Sequence, residues 1–116
     1  MSTQPAEIPP QCDAAELLAL PDLNRAVTLA ATFKALADPT RVRLLGYIAR
    51  APEGTACDCN LPELLGISQP TLSHHLRKLV DAGLVAREQR GRWAHFTAVD
   101  GALEPARRFM GAPDEE

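Results

Sequence analysis

The sequence predicts a mainly α-helical chain with one small β-hairpin, arranged as a winged helix-turn-helix. Three observations predict it. Two helical stretches, "NLPELLG" and "ISQPTLSHHLRKLVDAG", meet at a single glycine, and the second is longer and more basic. Directly after them the apolar pattern turns strand-like, in "LVAREQ" and "WAHFTAV" on either side of Arg90-Gly91. The rest of the apolar content is mostly Ala, Leu and Val, which suits helices packed closely through small residues. At 116 residues the chain is expected to form one domain, whose poor surface-to-volume ratio a partner subunit would improve.

The elements follow in order. Residues 1–11 carry three prolines and no periodicity, so residues 1–21 are expected to form a flexible arm bearing Cys12, with a short helix near "DAAELLAL". Residues 22–111 are expected to hold the winged helix-turn-helix and residues 112–116 an acidic tail. Asp22 is suited to cap "LNRAVTLAATFKALA", where Leu23, Ala26, Val27, Ala30, Phe33 and Ala37 make one apolar stripe. Leu29 and Leu36 lie off that stripe and predict a second buried face. Asp38 caps the next helix and Pro39 opens it, with Val42, Leu45, Ile48 and Ala49 facing inward. Asn60 and Glu63 form a variant capping box for the short helix that Gly66 stops, which puts Cys57 and Cys59 at that helix's leading edge. Ser68 caps the next helix, Pro70 sits in its first turn and Gly83 closes it. Its apolar positions are Leu72, Leu76, Leu79 and Val80. Gly91 permits the positive φ of a tight hairpin. A last helix lies in "DGALEPARRFMG", with its start reset or its axis bent at Glu104-Pro105.

The net charge is −3, but its distribution is uneven. Acidic residues gather at both ends, whereas Ser68 to Arg92 holds Arg77, Lys78, Arg87, Arg90 and Arg92 against only Asp81 and Glu88. A local basic face on an acidic chain is the footprint of nucleic-acid binding. The second helix of a helix-turn-helix fits the major groove, where Ser68, Gln69, Thr71, Ser73 and His74 offer donors and acceptors to base edges. Arg77 and Lys78 are placed for phosphates, and Arg87, Arg90 and Arg92 make the hairpin a wing beside the DNA backbone or in the minor groove. His74 and His75 suit DNA better than metal. A winged helix that binds only protein is the rival reading. No run approaches membrane-spanning length and the N-terminus lacks a secretory pattern, so a cytoplasmic protein without membrane contact is expected. Ser73 beside His74 and His75 makes no hydrolase constellation, and no enzyme is expected.

"FKALADPTRVRLL", "GISQPTLSHHLRKLVDAGLV" and "REQRGRWAHF" resemble the ArsR/SmtB family of winged-helix repressors over roughly residues 24 to 110. The resemblance implies a homodimer whose first and last helices form the interface. It also implies operator binding without inducer and release when an inducer binds. Two recognition helices on a two-fold axis would read an imperfect inverted repeat in successive major grooves, roughly 34 Å apart.

Cys57 and Cys59 match the Cys-x-Cys of arsenic-sensing members, whereas the flanks of "TACDCNLP" do not, and Pro62 is a further departure. The chemistry also stands on the residues. Thiolate is the ligand form, and a helix start lowers a cysteine pKa. Two thiolates one residue apart, with Cys12 from the arm as a third, suit a soft, pyramidal, three-coordinate ion. Trivalent arsenic as arsenite fits best, antimonite is its near equivalent, and no organic cofactor is implied. A structural zinc ion would want four ligands. Related members sense cadmium or lead with N-terminal cysteines plus this Cys-x-Cys, and that reading stands second because one N-terminal cysteine exists here. The zinc site of other members, built from Asp and His in the last helix, is not expected, since no histidine follows His95. A thiol redox-switched repressor remains a rival, and an idle thiol is the alternative for Cys12.

Overall fold

The computed structural model describes residues 20–111. Cys12, the tail at 112–116 and all but Leu20 of the short helix expected near residue 13 lie outside the described residues. The elements run α1 (Leu23–Ala35), α2 (Pro39–Ala49), β1 (Ala56–Cys57), α3 (Leu61–Leu65), α4 (Gln69–Asp81), β2 (Val85–Arg90), β3 (Trp93–Ala98) and α5 (Glu104–Met110). The strands form one antiparallel sheet in the order β1-β3-β2. This is the expected class, a winged helix-turn-helix with one added strand.

Local chemistry sets the helix boundaries. The Asp22 carboxylate accepts from the Arg25 amide at 2.8 Å and starts α1. Asp38 accepts from the amides of Thr40 (2.8 Å) and Arg41 (3.2 Å), and Pro39 follows where no amide is needed. Ser68 does the same for α4, accepting from the Thr71 amide. Gly66 ends α3 with φ +69°, a left-handed conformation that a side chain resists, and the turn to α4 follows at once. The capping box expected at Asn60 does not form. The Asn60 side chain makes no cap hydrogen bond and its backbone is not extended, with φ −113° and ψ 3°. Glu104 and Pro105 reset the last helix, as expected, so that it begins at Glu104.

The core is apolar, with no buried polar residue among the described ones. Leu72, Leu76 and Leu79 of α4 meet Leu44, Leu45 and Ile48 of α2, and Leu61, Leu84, Val85, Ala94 and Phe96 complete the cluster. Helix α2 packs on both α4 and β3, and α4 packs on β2. Val80, expected in the core, is half-buried at its edge.

Two of the expected faces are corrected. In α1 the stripe of Leu23, Ala26, Val27 and Ala30 is exposed, with Leu23 77 % and Val27 59 % accessible, and Phe33 is half-buried. The face that turns inward is the second one expected from Leu29 and Leu36, which it carries with Ala35. The strongest periodic signal in α1 therefore marks a surface that this chain alone does not cover. In α2, Val42 and Ala49 are exposed, and the buried set is Leu44, Leu45 and Ile48. An i, i+1, i+4 arc satisfies helical spacing as well as the predicted arc does, and the packing of α4 chooses between them.

Residues Gly91 and Arg92 form the hairpin loop between Arg90 and Trp93. Gly91 has φ +63° and no other loop residue is left-handed, the pattern of a primed two-residue turn. No helix among the described residues is long and apolar enough to cross a membrane.

Desolvation at the start of α2 works against the charged Asp38 carboxyl, but the Arg41 and Thr40 amides, with the Arg41 guanidinium nearby, hold it below the usual carboxylate range. A depressed carboxylate stabilises the fold above its unfolded value near 3.8, and that contribution is lost as pH falls through its lower folded value. Asp38→Ala is expected to lower the urea midpoint at pH 7. The gap to the wild type should shrink when the comparison is repeated below pH 3.8.

Candidate nucleic-acid interface and thiol site

Helix α4 buries one side in the core, so its other side is fixed by 3.6-residue geometry. Thr71, His74, Arg77 and Lys78 emerge on that outer side, Ser73 flanks the leucine stripe, and Gln69 stands at the helix start beside the capping Ser68; all are exposed. Their mutual bonds are long or local. Ser68 Oγ donates to Thr71 Oγ1 at 3.0 Å, and Gln69 Nε2 to Ser73 Oγ at 3.5 Å. No carboxylate among the described residues pairs with Arg77 or Lys78. Two cations without counter-charge, beside a row of hydroxyl and amide groups, make a surface suited to phosphates and base edges.

The hairpin carries the other cations. Arg87 donates to Gln89 Oε1 at 2.6 Å, and Gln89 Nε2 in turn donates to the Gly91 carbonyl at 2.9 Å, so the wing is braced from within. Arg90, expected to face DNA, lies in an exposed ion pair with Glu88 at 3.0 Å. Such a pair contributes little net stability, so a phosphate can take the guanidinium at small cost. Arg92 sits exposed in the turn.

His75 departs from the expectation. It lies half-buried on the flank of α4, with its Nδ1 3.1 Å from Arg41 Nη1. His74 alone of the two histidines is exposed on the outer side.

The thiol pair sits otherwise than predicted. Cys57 belongs to β1, not to a helix start, and lies opposite His95 in the strand pairing. The Asp58 amide donates to the Ala94 carbonyl at 3.1 Å and carries the β pairing past Cys57. The chain then bends, α3 begins at Leu61, and Cys59 lies in that bend. Cys57 and Cys59 are joined by a disulfide, their Cα atoms 5.3 Å apart. The Cys59 amide also donates to Cys57 Sγ at 3.1 Å. Both cysteines are half-buried, so neither is sealed in the interior. With five residues α3 has too little dipole to matter; the Cys59 amide is the local group that favours negative charge on sulfur. No cluster of three metal-binding side chains occurs among the described residues. A third ligand from Cys12 lies outside them.

The thiol loop and the outer side of α4 share a cleft of about 360 Å³. Asp58, between the two cysteines, lines it with Ser73 and Arg77 of α4 and with Arg87 and Phe96 of the sheet. Asp58 escaped the sequence reading as a site residue, because no local pattern brings a loop residue beside Ser73 and Arg77, fifteen and nineteen positions on. Arg87, expected in the wing, also lines this cleft.

Residues 38–87 match the family described as bacterial regulatory protein, arsR family. Among solved structures, an ArsR-like transcriptional regulator from Rhodococcus sp. RHA1 superposes with TM-score 0.64 and 30 % identity, over 75 % of this chain and 80 % of that one. This chain belongs to the ArsR family. Its members are regulatory proteins, not enzymes. An antimony-specific transcriptional repressor, AntR, superposes with TM-score 0.56 and 28 % identity, over 84 % of this chain and 89 % of that one. Curated relatives include the arsenic resistance transcriptional regulator ArsR1 of Pseudomonas putida (44 % identity, 55 % of this chain and 48 % of that protein). The arsenical resistance operon repressor of Bacillus subtilis is 37 % identical over 59 % of this chain and 63 % of that protein. A probable mercury resistance operon repressor of Streptomyces lividans is 45 % identical over 63 % of this chain and 56 % of that protein. The ArsR chain described here thus spans between about half and two thirds of the length of these curated relatives.

Peptide mapping checks the thiol geometry. The tryptic fragment 51–77 holds both Cys57 and Cys59. Isolated from protein oxidised in air, it should be lighter by two hydrogens than after reduction. An unchanged mass would contradict the disulfide.

Proposed function

We propose that this ArsR-family protein is a cytoplasmic, homodimeric transcriptional repressor that leaves its operator when trivalent arsenic, or antimonite, is held by the thiolates of Cys57, Cys59 and Cys12. The observation that carries the reading is the shared cleft. The residue between the two sulfurs and the DNA-facing side of α4 line the same space, so a change in the thiol loop bears directly on Arg77 and Ser73. The names of the P. putida and B. subtilis relatives and of the AntR neighbour favour a metalloid inducer.

The ligand set follows from sulfur chemistry. Two thiols close enough to be joined are close enough to bite one soft ion once reduced, and a reducing cytoplasm keeps them so. Soft thiolates select soft ions. The imidazole opposite Cys57 was not foreseen, but the two sulfurs remain the soft pair. Drawing Cys59 and Cys57 onto an ion strains the bend between β1 and α3. Helix α3 packs on α4, so the bend moves the reading helix relative to its twin in the dimer. Half-site spacing then fails. Operator DNA with an imperfect inverted repeat matches such a dimer, with Ser68, Gln69, Thr71, Ser73 and His74 toward bases and Arg77, Lys78, Arg90 and Arg92 toward phosphates.

The second subunit would cover the exposed stripe of α1 with α5. Phe33 and Phe109 stand 6.2 Å apart there, beside an apolar cleft lined by Ala26, Leu29 and Ala30. Exposed Val27, Phe109 and Met110 extend the surface.

A second reading is favoured by the disulfide itself: a redox-switched repressor. Peroxide would take two electrons and two protons from the Cys57 and Cys59 thiols, forming the S–S bond and two waters.

Operator binding by fluorescence anisotropy separates the readings. For reduced protein, arsenite is expected to weaken binding by about fivefold to a hundredfold, the range of ordinary allosteric coupling. Cys57→Ser and Cys59→Ser should not respond. Response to peroxide but not arsenite would favour the redox reading, and response to mercury(II) or cadmium alone would reassign the ion. Arg77→Gln and Lys78→Gln should each lower the slope of log affinity against log salt by about 1, the signature of a lost phosphate contact. In sedimentation, Val27→Asp and Phe109→Asp are expected to give monomers. Dimers at micromolar concentration would contradict the assigned interface.

A further inference from the structure

Two half-buried groups in this molecule are tied together away from the exposed side of α4: Arg41 at the start of α2, and His75 on the inner flank of α4. Arg41 reaches two ways. Its Nε donates to the Ala35 carbonyl, the last residue of α1, at 2.5 Å. Its Nη1 lies 3.1 Å from His75 Nδ1. The Arg41 amide meanwhile donates to the Asp38 carboxylate, so the backbone that carries the fork is itself fixed. Arginine has donors only, so Nδ1 must accept and the imidazole proton must sit on Nε2.

We infer that Arg41 and His75 form a clamp that sets the position of the reading helix α4 against the end of α1, and that His75 acts through Arg41 and not by touching DNA. The inference rests on the DNA-binding reading of α4. Several features make the clamp more than packing. Arg41 and His75 are both half-buried, where a charged donor to a neutral acceptor is stronger than in water. The guanidinium is planar and rigid, so one side chain fixes two distances at once, which a lysine cannot do. The tie also joins two surfaces with different tasks. Helix α1 carries the apolar stripe left open for a second copy, and α4 carries the polar face left open for DNA. Among the described residues, Arg41 is the side chain that hydrogen-bonds to both helices. In a two-fold dimer the separation of the two reading helices depends on how each α4 sits on its own α1. A sequence reader sees Arg41 in "DPTR" only as a basic residue in the first turn.

The variants that test this keep helix propensity and shape nearly constant. Asparagine places an oxygen acceptor on Cγ where His75 has Nδ1, phenylalanine keeps the ring without an acceptor, and lysine keeps the charge of Arg41 without the fork. His75→Phe and Arg41→Lys are expected to weaken binding to a palindromic operator about tenfold, the value of one charge-assisted hydrogen bond, while binding to random-sequence DNA stays unchanged. His75→Asn should restore most of the loss. The double variant His75→Phe/Arg41→Lys should be no weaker than either single one, because both break one tie. Thermal unfolding and sedimentation on the same samples identify any variant that fails to fold or dimerise, and Arg41→Lys then stands in for His75→Phe. If His75→Phe binds the operator as tightly as wild type, the clamp is overturned while the DNA reading stands. If His75→Asn is as weak as His75→Phe, His75 contacts DNA itself and the clamp is again overturned. A wild type without operator binding removes the DNA reading, and the clamp with it.

Discussion

The pairing of β1 with β3 is the constraint on which the rest of this protein depends. Ala56 and Cys57 form the shortest strand in the fold, yet they dock on Phe96 and His95 at the centre of the sheet. The Asp58 amide extends the pairing to Ala94. Phe96 and Ala94 are buried in the cluster that receives Leu72, Leu76 and Leu79 of α4. A loop that would otherwise be free is thereby held against the same core that aims the reading helix. Without this tie, two cysteines in a polar loop would have no mechanical hold on α4.

The two faces of α4 divide the work. Its leucines anchor it to α2 and to the sheet, and everything opposite them is left to solvent. The cap at Ser68 and the left-handed Gly66 fix where the helix begins, and hence which side chains stand at its N-terminal end. The wing follows directly after α4, so its arginines are placed by the same core residues, Leu84 and Val85. A small change in how α4 sits therefore moves the reading helix and the wing together.

Much of the fold was legible in the sequence because its signals are local. Caps at Asp22, Asp38 and Ser68, breaks at Gly66 and Gly91, and the change of period after Leu84 depend on neighbours only a few residues away. The errors arose where distant partners decide. The stripe of Leu23, Val27 and Ala30 was read as a face to be buried, and periodicity does not say by what; within this chain it is exposed. Val42 lost its inward place to Leu44 once α4 chose the face of α2. Strand β1 is too short to carry a period, and its partner lies about forty residues on, so Cys57 was assigned to a helix start. His75 looked like a DNA contact because nothing near it in sequence predicts Arg41 as its partner. The exposed polar side chains of α4 and the closeness of Cys57 to Cys59 were legible, the first from helical geometry and the second from spacing.

The central claim is that sulfur chemistry at Cys57 and Cys59 and operator binding by α4 are one coupled equilibrium. Coupling is reciprocal: if arsenite weakens the hold on DNA by some factor, DNA must weaken the hold on arsenite by the same factor. Calorimetric titration of arsenite into reduced protein, alone and saturated with operator, measures this directly. The account predicts weaker arsenite binding in the DNA complex, by the factor seen in operator affinity. Equal arsenite affinity with and without DNA would contradict it.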